Sequence, residues 1–406
     1  MPSVRFEHSL DAQQLALLQA LGQAADAHGA KLWAVGGIVR DTLLGRPVLD
    51  IDLTSQTPAN ELGHALVSTL GGSVSPITPF MTVKLTIDSH RFDLATTRTE
   101  TYPQPATLPV VTPSTLSEDL SRRDFTINAM AASLAPADFG DMTDPFGGQA
   151  DLDAHLLRVL HQRSFQDDPT RAFRAVRYAV RLGFRMDGRT ASWMRHDAPL
   201  IERLSGTRIR HEIERMLDEL RGAAALLETH RRGLLAQIHP ELGTSAVTRA
   251  LRSAARANLT GLELLAALMY PLSTSDVLAL TRRLSLSNQQ ATVAEATARA
   301  HGAESQLSGT PPSVVDRTIG NAPAATLNAM ASVPADAAVR ASVRRYIRRA
   351  AHVQRHLDGK ALAHLGVPPG PRIGEALAAL RSAELDNTVR TRRGATHFIK
   401  QWLQEI

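Results

Sequence analysis

Two aspartates one residue apart, Asp50-Ile51-Asp52, are the first residues of this sequence whose types and spacing imply chemistry. On a strand, side chains two apart face the same side, so both carboxylates point together. Such a pair is costly unless a cation neutralises it, and hard oxygen ligands suit Mg²⁺. An exposed edge pair screened by water is the plain alternative. Upstream, Gly36-Gly37-Ile38-Val39-Arg40-Asp41 sits where a strand gives way to a helix. Glycines there let the backbone approach a phosphate, and the helix start supplies N–H donors, although a Gly-Gly turn is also a common structural device. Arg40 adds a cation, and Asp93, on a later strand, offers a third carboxylate. Together these residues describe a metal–triphosphate site, with two metal ions to activate a hydroxyl and stabilise a leaving oxygen.

Two further segments concentrate charge. From Asp167-Asp168-Pro169-Thr170 a helix opens in which Arg171, Arg174 and Arg177 share one face, while Phe173, Val176, Val180 and Leu182 supply apolar contacts. A solvated basic face is the other reading. Nearer the end, Val339 to Arg355 reads as a helix with Arg340, Arg344 and Arg348 on one stripe and Arg345 and Arg349 beside it. That density repels itself unless a polyanion is near, or else it is a surface arginine face. His196-Asp197 lacks companion histidines at ligand spacing and is read as structural.

The elements that must position these groups divide unevenly along the 406 residues. The first third mixes types: an amphipathic helix over Asp11 to His28, strands at Leu32 to Val35, Leu49 to Leu53 and Val83 to Ile87, then a partner strand Arg91 to Thr96 after the turn Asp88-Ser89-His90. Tyr102 to Ser117, rich in proline and threonine, is expected to be a loop. After Asp151 helical periods take over and strand signals vanish. Only 4% of the chain is aromatic, in keeping with packed helices over β-sandwiches, and 43% is hydrophobic, enough for several cores. The absence of cysteine excludes disulfides, thiolate metal sites and thiol nucleophiles. Net charge is a modest +5, so where the charge lies matters more than its sum. No leader or membrane span is evident, and a cytoplasmic location is expected.

Several stretches together resemble the class II tRNA nucleotidyltransferases and bacterial poly(A) polymerases of the polymerase β superfamily. The likeness rests on Gly36-Gly37-x-Val39-Arg40-Asp41 with Asp50-x-Asp52, on Glu118-Asp119-Leu120-Ser121-Arg122-Arg123-Asp124-Phe125-Thr126-Ile127-Asn128-Ala129-Met130-Ala131, on Asp144-Pro145-Phe146-Gly147-Gly148, and on Asp167 to Arg177. Gly206-Thr207-Arg208, with Thr207 as a helix-cap candidate, and the tail from Leu357 to Asn387 extend it. The family usually begins the fourth motif with glutamate, where this chain has Asp167.

The resemblance implies an α+β chain: a small mixed-sheet, polymerase β-like head over residues 1–140, then an all-α neck over 141–215, body over 216–310 and tail over 311–406. It implies that Asp50 and Asp52 bind Mg²⁺ with Asp93 beside them, that Gly37 and Arg40 contact triphosphate, and that Arg123 and Asp124 meet the nucleotide sugar and phosphates. Asp168, Arg171, Arg174 and Arg177 would serve the base and phosphate region. The chemistry of the first two is plain: cytosine and adenine both show an amino donor beside a ring acceptor, which a carboxylate and a guanidinium satisfy. Uracil and guanine reverse the order and leave those groups unpaired, which discriminates strongly. The implied reaction is addition of the 3′ CCA of tRNA from CTP and ATP. Arg340, Arg344 and Arg348 would hold RNA, with tRNA the partner through its 3′ end, acceptor stem and elbow; no membrane and no protein partner is implied. A CC-only or A-only enzyme, a poly(A) polymerase, and a catalytically dead RNA-binding protein are the alternatives. Arg98, Glu100 and Tyr102 remain in the loop that CC-only members shorten, which favours full CCA addition.

Overall fold

The computed structural model describes residues 3–48 and 50–405, which divide into two compact units between Leu204 and Ser205. The first unit carries strands β1 (Leu32–Val35), β2 (Ile51–Ser55), β3 (Ser73–Val74), β4 (Thr82–Ile87), β5 (His90–Thr96), β6 (Arg98–Thr101), β7 (Val110–Pro113), β8 (Ala131–Ser133) and β9 (Met142–Thr143). Among the described residues, seven of these form one mixed sheet in the order β3-β4-β5-β2-β1-β8-β9. The pair β2–β5 is parallel and the other pairings are antiparallel. The smaller pair β6–β7 is a separate hairpin.

Alternation along the central strands decides what each face does. Ile51, Leu53, Val83, Leu85, Ile87, Phe92 and Leu94 are buried, on the side where α1 (Ala12–Ala27) and α3 (Ala59–Leu70) pack. Burying each large side chain of this set stabilises by about 1.5–3 kcal/mol. The intervening residues Asp52, Lys84 and Asp93 lie on the opposite face. A register slip of one residue would drive those charges into the core, so the apolar face fixes the polar one. The Asp88-Ser89 connection between β4 and β5 has φ of 46° and 67°, the backbone twist a two-residue hairpin needs. Asp11 opens α1 with a reciprocal cap: Gln14 N donates to its carboxylate at 2.8 Å while Asp11 N donates to Gln14 Oε1 at 3.2 Å.

The helices α2 (Gly37–Leu43), α4 (Leu116–Ser121), α5 (Gly148–Asp153), α6 (Ser164–Asp167), α7 (Thr170–Leu182) and α8 (Gly188–Asp197) complete the first unit. Three details differ from the sequence reading. Tyr102 to Ser117 is not loop throughout, since it holds β7 and the start of α4; Val110-Val111 between prolines is too short for periodicity to register. Strands do not end at Asp151: Leu156–Leu157 pairs in parallel with Arg185–Met186. The helix expected to be capped by Thr207 begins at Gly206, with Ser205 before it. A Cβ on Gly206 would lie 1.9 Å from the Arg283 carbonyl oxygen, so close packing sets that boundary. Leu49, the expected first residue of the second strand, lies outside the described residues, and β2 begins at Ile51.

The second unit is helical. Its helix Ala337–Ala350 buries Val339, Val343 and Tyr346 and is capped by Asp336, which accepts from Ala338 N at 2.7 Å. The last segment closes a core of its own around Leu357, Leu362, Leu380 and Ile399. Among the described residues, no helix is long and apolar enough to cross a membrane.

Candidate active site

Parallel pairing of β2 with β5 sets Asp52 directly opposite Asp93. Asp50, exposed, stands just before β2. Burial pushes the Asp52 carboxyl above the ordinary carboxylate range; Arg123 pulls it back, and Asp93 and Asp50 push it up again. Asp52 and Asp93 therefore share the polar face of the sheet, with Asp50 and Arg123 within electrostatic reach of Asp52.

Arg123 enters through the Gly36 turn. Gly36 has φ of 71°, a left-handed backbone that favours glycine, and Arg123 Nη1 lies beside it, 2.9 Å from where a Cβ would stand. Gly37 follows as the first residue of α2. Arg123 Nη2 donates to Asp119 at 2.9 Å, while its buried Nε has no protein partner.

Arg40 is placed differently from its expected role. It is 3% exposed, its Nε and Nη2 donate to both carboxylate oxygens of Asp41 at 2.9 and 2.7 Å, and Nη1 donates to Asn128 Oδ1 at 2.5 Å. The guanidinium acts as a bracket between α2 and the Thr126–Asn128 turn, not as a cation held open for phosphate.

Asp124 is the second hub. Arg174 grips it through Nε and Nη2 at 2.8 and 2.6 Å, Asn128 Nδ2 donates at 2.9 Å, and its own carboxylate caps the Phe125 N–H at 2.9 Å. Burial alone would raise this carboxyl, yet Arg174, Asn128 and Arg171 outweigh it and hold the pKa near about 2. Tyr178 lies among three guanidiniums, those of Arg40, Arg174 and Arg177, at 5.1, 5.6 and 4.9 Å from its ring centre.

At the start of α7, one oxygen of Asp168 accepts from Thr170 N at 2.9 Å and from Thr170 Oγ1 at 2.6 Å. Arg171, 6% exposed, donates to Ser164 Oγ at 2.8 Å and to the Arg122 carbonyl at 2.6 Å. Tyr102 comes close to both: burial and the neighbouring Glu100 raise its hydroxyl pKa, with smaller influences from Arg171 and Asp168. Its hydroxyl donates to Glu100 at 2.7 Å, and Glu100 in turn accepts from Arg122 at 2.7 Å.

Asp119, Asn128 and Tyr178 were not singled out from sequence. Asp119 is fully buried and joins Arg122 and Arg123 at 2.7 and 2.9 Å. Its spacing of three and four residues from those arginines, within one short helix and its exit, was the available signal.

In the second unit the arginine stripe divides. Arg340 donates to the carbonyls of Pro334 and Ala335, and Arg344 to that of Ala331 at 2.8 Å. Arg345 reaches the Thr310 carbonyl at 3.1 Å, and Arg349 the carbonyls of Leu385 and Glu384 at 3.1 and 3.0 Å. Arg348 lines an open cavity of about 450 Å³ with Pro312, Arg345, Arg349, His352 and Asn387.

Two family profiles match in sequence order: "Poly A polymerase head domain" over residues 32–158, and "Probable RNA and SrmB-binding site of polymerase A" over 183–244. An A-adding tRNA nucleotidyltransferase of Geobacter sulfurreducens is 31% identical over 93% of this chain and 46% of its own length. A CCA-adding enzyme in an apo form shares the fold with a TM-score of 0.86, 27% identity and full coverage of both chains. In sequence and in fold the chain is thus similar to tRNA nucleotidyltransferases and bacterial poly(A) polymerases. Another solved structure, the Thermotoga maritima CCA-adding enzyme complexed with tRNA, matches with a TM-score of 0.83 and 26% identity over 99% of this chain and all of that one. The chain spans about half the length, or less, of the first curated family members it matches.

Proposed function

We propose that this protein is a template-independent nucleotidyltransferase that builds or repairs the 3′ CCA of tRNA from CTP and ATP, releasing pyrophosphate. The observation that carries the reading is the register Asp52 opposite Asp93, with Asp50 adjacent and Arg123 beside the Gly36 turn. Solved relatives of this fold are complexes with ATP and with CTP. In this reading residues 1–140 are the head, 141–215 the neck, 216–310 the body and 311–406 the tail.

The acidic group fits Mg²⁺. Among the described residues no three acidic, histidine or cysteine side chains gather into a self-sufficient cage. Mg²⁺ commonly takes one or two carboxylates and fills its remaining positions with water and substrate phosphate. Asp50 and Asp52 would hold it, and a cation would offset what raises the Asp52 pKa, burial first and then the charges of Asp93 and Asp50. Bound there, it would lower the pKa of the attacking RNA hydroxyl and neutralise charge on the leaving oxygen. The chain's own groups do the rest. Asp93 orients the hydroxyl end, Gly37 and Arg123 meet the triphosphate, and Arg40, Asp124 and Arg174 hold the walls around it. Asp168 accepts the amino hydrogen of C or A, and Arg171 donates to the adjacent ring nitrogen, exchanging their present partners for the base. Arg177 supports this wall through Tyr178. In the second unit Arg348, with Arg340 and Arg344 maintaining their helix, attracts RNA phosphates.

A second reading, addition of the terminal A alone, is favoured by curated relatives bearing the A-adding name, including the one aligned over 93% of this chain. One assay separates the readings: tRNAs ending before CCA, after C and after CC, each offered single labelled triphosphates. Full CCA addition requires incorporation on all three, and A-only addition requires incorporation on the last alone. Runs of A on every RNA would indicate a poly(A) polymerase. Asp52→Ala should abolish every incorporation while tRNA binding persists; ordinary turnover by that variant would sink the assignment.

A further inference from the structure

Two cations share the polar sheet face with the carboxylates and enter none of the contacts described above. In the antiparallel register of β4 and β5, Lys84 stands opposite Asp93, as Asp93 stands opposite Asp52. Neighbouring strands lie about 4.8 Å apart, so the three form one row across the sheet. Arg91 precedes Asp93 by two residues on β5, which puts it on the same face roughly 6.7 Å along the strand. Both cations are exposed, and among the described residues neither forms an ion pair or a side-chain hydrogen bond. Edge protection, a common task of strand lysines, does not account for Lys84. The outer side of β4 is already paired there: Ser75 N donates to the Lys84 carbonyl at 2.9 Å, and Lys84 N to Ser75 Oγ at 2.8 Å.

We propose that Lys84 and Arg91 form a phosphodiester subsite for the 3′-terminal segment of the acceptor RNA, an inference that rests on the nucleotidyl-transfer reading above. The strand order supplies the direction. Along β4-β5-β2-β1, the Gly36 turn and Arg123 lie on the β1 side of the carboxylates, whereas Lys84 and Arg91 lie on the far side. The triphosphate and the RNA hydroxyl must meet at the carboxylates from different directions. If the triphosphate occupies the glycine side, the RNA arrives across β5 and β4. Its first phosphodiester, one nucleotide back from the reacting hydroxyl, then needs a cation beside Asp93 to offset repulsion from the acidic row. Lys84 and Arg91 stand at that place with donors uncommitted.

The test compares wild type, Lys84→Gln/Arg91→Gln and Lys84→Arg, each with saturating Mg²⁺, in single-nucleotide addition to tRNA lacking its terminal nucleotide. The double variant should raise KM for RNA roughly tenfold and leave KM for the triphosphate unchanged. The slope of RNA affinity against log salt should fall by about one unit per lost contact. Lys84→Arg should behave as wild type. Because both side chains are exposed, unchanged thermal melting should accompany these effects. An active wild type whose RNA KM and salt slope are untouched in the double variant overturns the subsite alone. So does a variant whose triphosphate KM rises instead. A wild type that adds no nucleotide to any tRNA overturns both the subsite and the reading beneath it.

Discussion

In the first unit Arg40 faces Asp41, Arg122 and Arg123 share Asp119, and Arg174 grips Asp124. In the second, Arg340, Arg344, Arg345 and Arg349 of one helix all donate to main-chain carbonyls. The hydrogen-bonding need of a guanidinium is met either way, but the charge is not. A carboxylate cancels it, whereas a carbonyl leaves it to act on its surroundings. The first arrangement builds walls of nearly neutral brackets around an acidic patch. The second keeps a helix positive at modest cost, which suits a polyanion that comes and goes. Arginine content alone says nothing of this; the partner does.

The comparison is broken most forcefully at Asp124. Asp124→Asn removes the buried carboxylate that Arg174 grips through two nitrogens, so stability should fall by roughly 2–4 kcal/mol, reduced from the fully buried case because Arg174 is partly exposed. Urea unfolding of the two proteins measures it. A loss under about 0.5 kcal/mol would mean that the bracket is no more than surface pairing.

Acid should act at the same place in wild type. The Asp124 pKa is near about 2 in the folded chain against about 3.9 unfolded. Its contribution is therefore complete above pH 4 and is lost as pH falls from 4 towards 2, on the order of 2 kcal/mol. The acid-unfolding profile of Asp124→Asn should lack that component. The arginine–carbonyl contacts of the second unit's helix do not titrate; its cap Asp336, whose carboxyl is held below the ordinary range by Ser308 and the Ala338 N–H, adds an acid-sensitive group there.

Asp168→Ala is predicted to spare overall stability more than base preference. Selectivity for C and A over U and G should drop by ~1–3 kcal/mol, one to two powers of ten. Single-nucleotide addition with all four triphosphates reads it. If the variant slows but keeps its full preference, Asp168 serves only as the cap of Thr170 seen here.

The smallest effect belongs to the second unit. Arg345→Ala/Arg348→Ala should flatten the salt dependence of tRNA binding by about one unit of slope per lost phosphate contact, with unfolding free energy within about 0.5 kcal/mol of wild type. A large stability loss with an unchanged salt slope would make the helix structural and dissolve the contrast between the units.

How far the sequence could be read follows from which signals are local. Alternation in Val83 to Ile87 and Arg91 to Thr96, the turn at Asp88-Ser89 and the break at Gly36 are short-range, and the strands and turn stand where those signals put them. The nearness of Asp50, Asp52 and Asp93 was legible in part, because the first two are two residues apart in sequence and a family-like pattern surrounds them. Their register was not, since a parallel pair has no connecting turn to betray it. Arg40 shows the limit most clearly. Type and spacing marked it as a cation for the triphosphate, and only the fold reveals Asn128, 88 residues away, closing on it. Two-residue strands such as Leu156–Leu157 fall below the length at which periodicity exists.

The parallel pairing of β2 with β5 also bears on how the protein comes into being. Asp52 and Asp93 are separated by β3, β4 and α3, and no hairpin can bring them side by side. Such a non-local closure must meet its loop entropy before its contacts reward it, so it belongs among the slower events of folding. The hairpin of β4 with β5 is local and can form early. The acidic patch thus exists only once the chain has joined distant segments, and a refolding intermediate with sound hairpins and helices would still lack the Asp52–Asp93 register on which the proposed Mg²⁺ site depends. On the Mg²⁺ reading proposed above, cation uptake during refolding would report the arrival of the native topology itself, later than any measure of secondary structure.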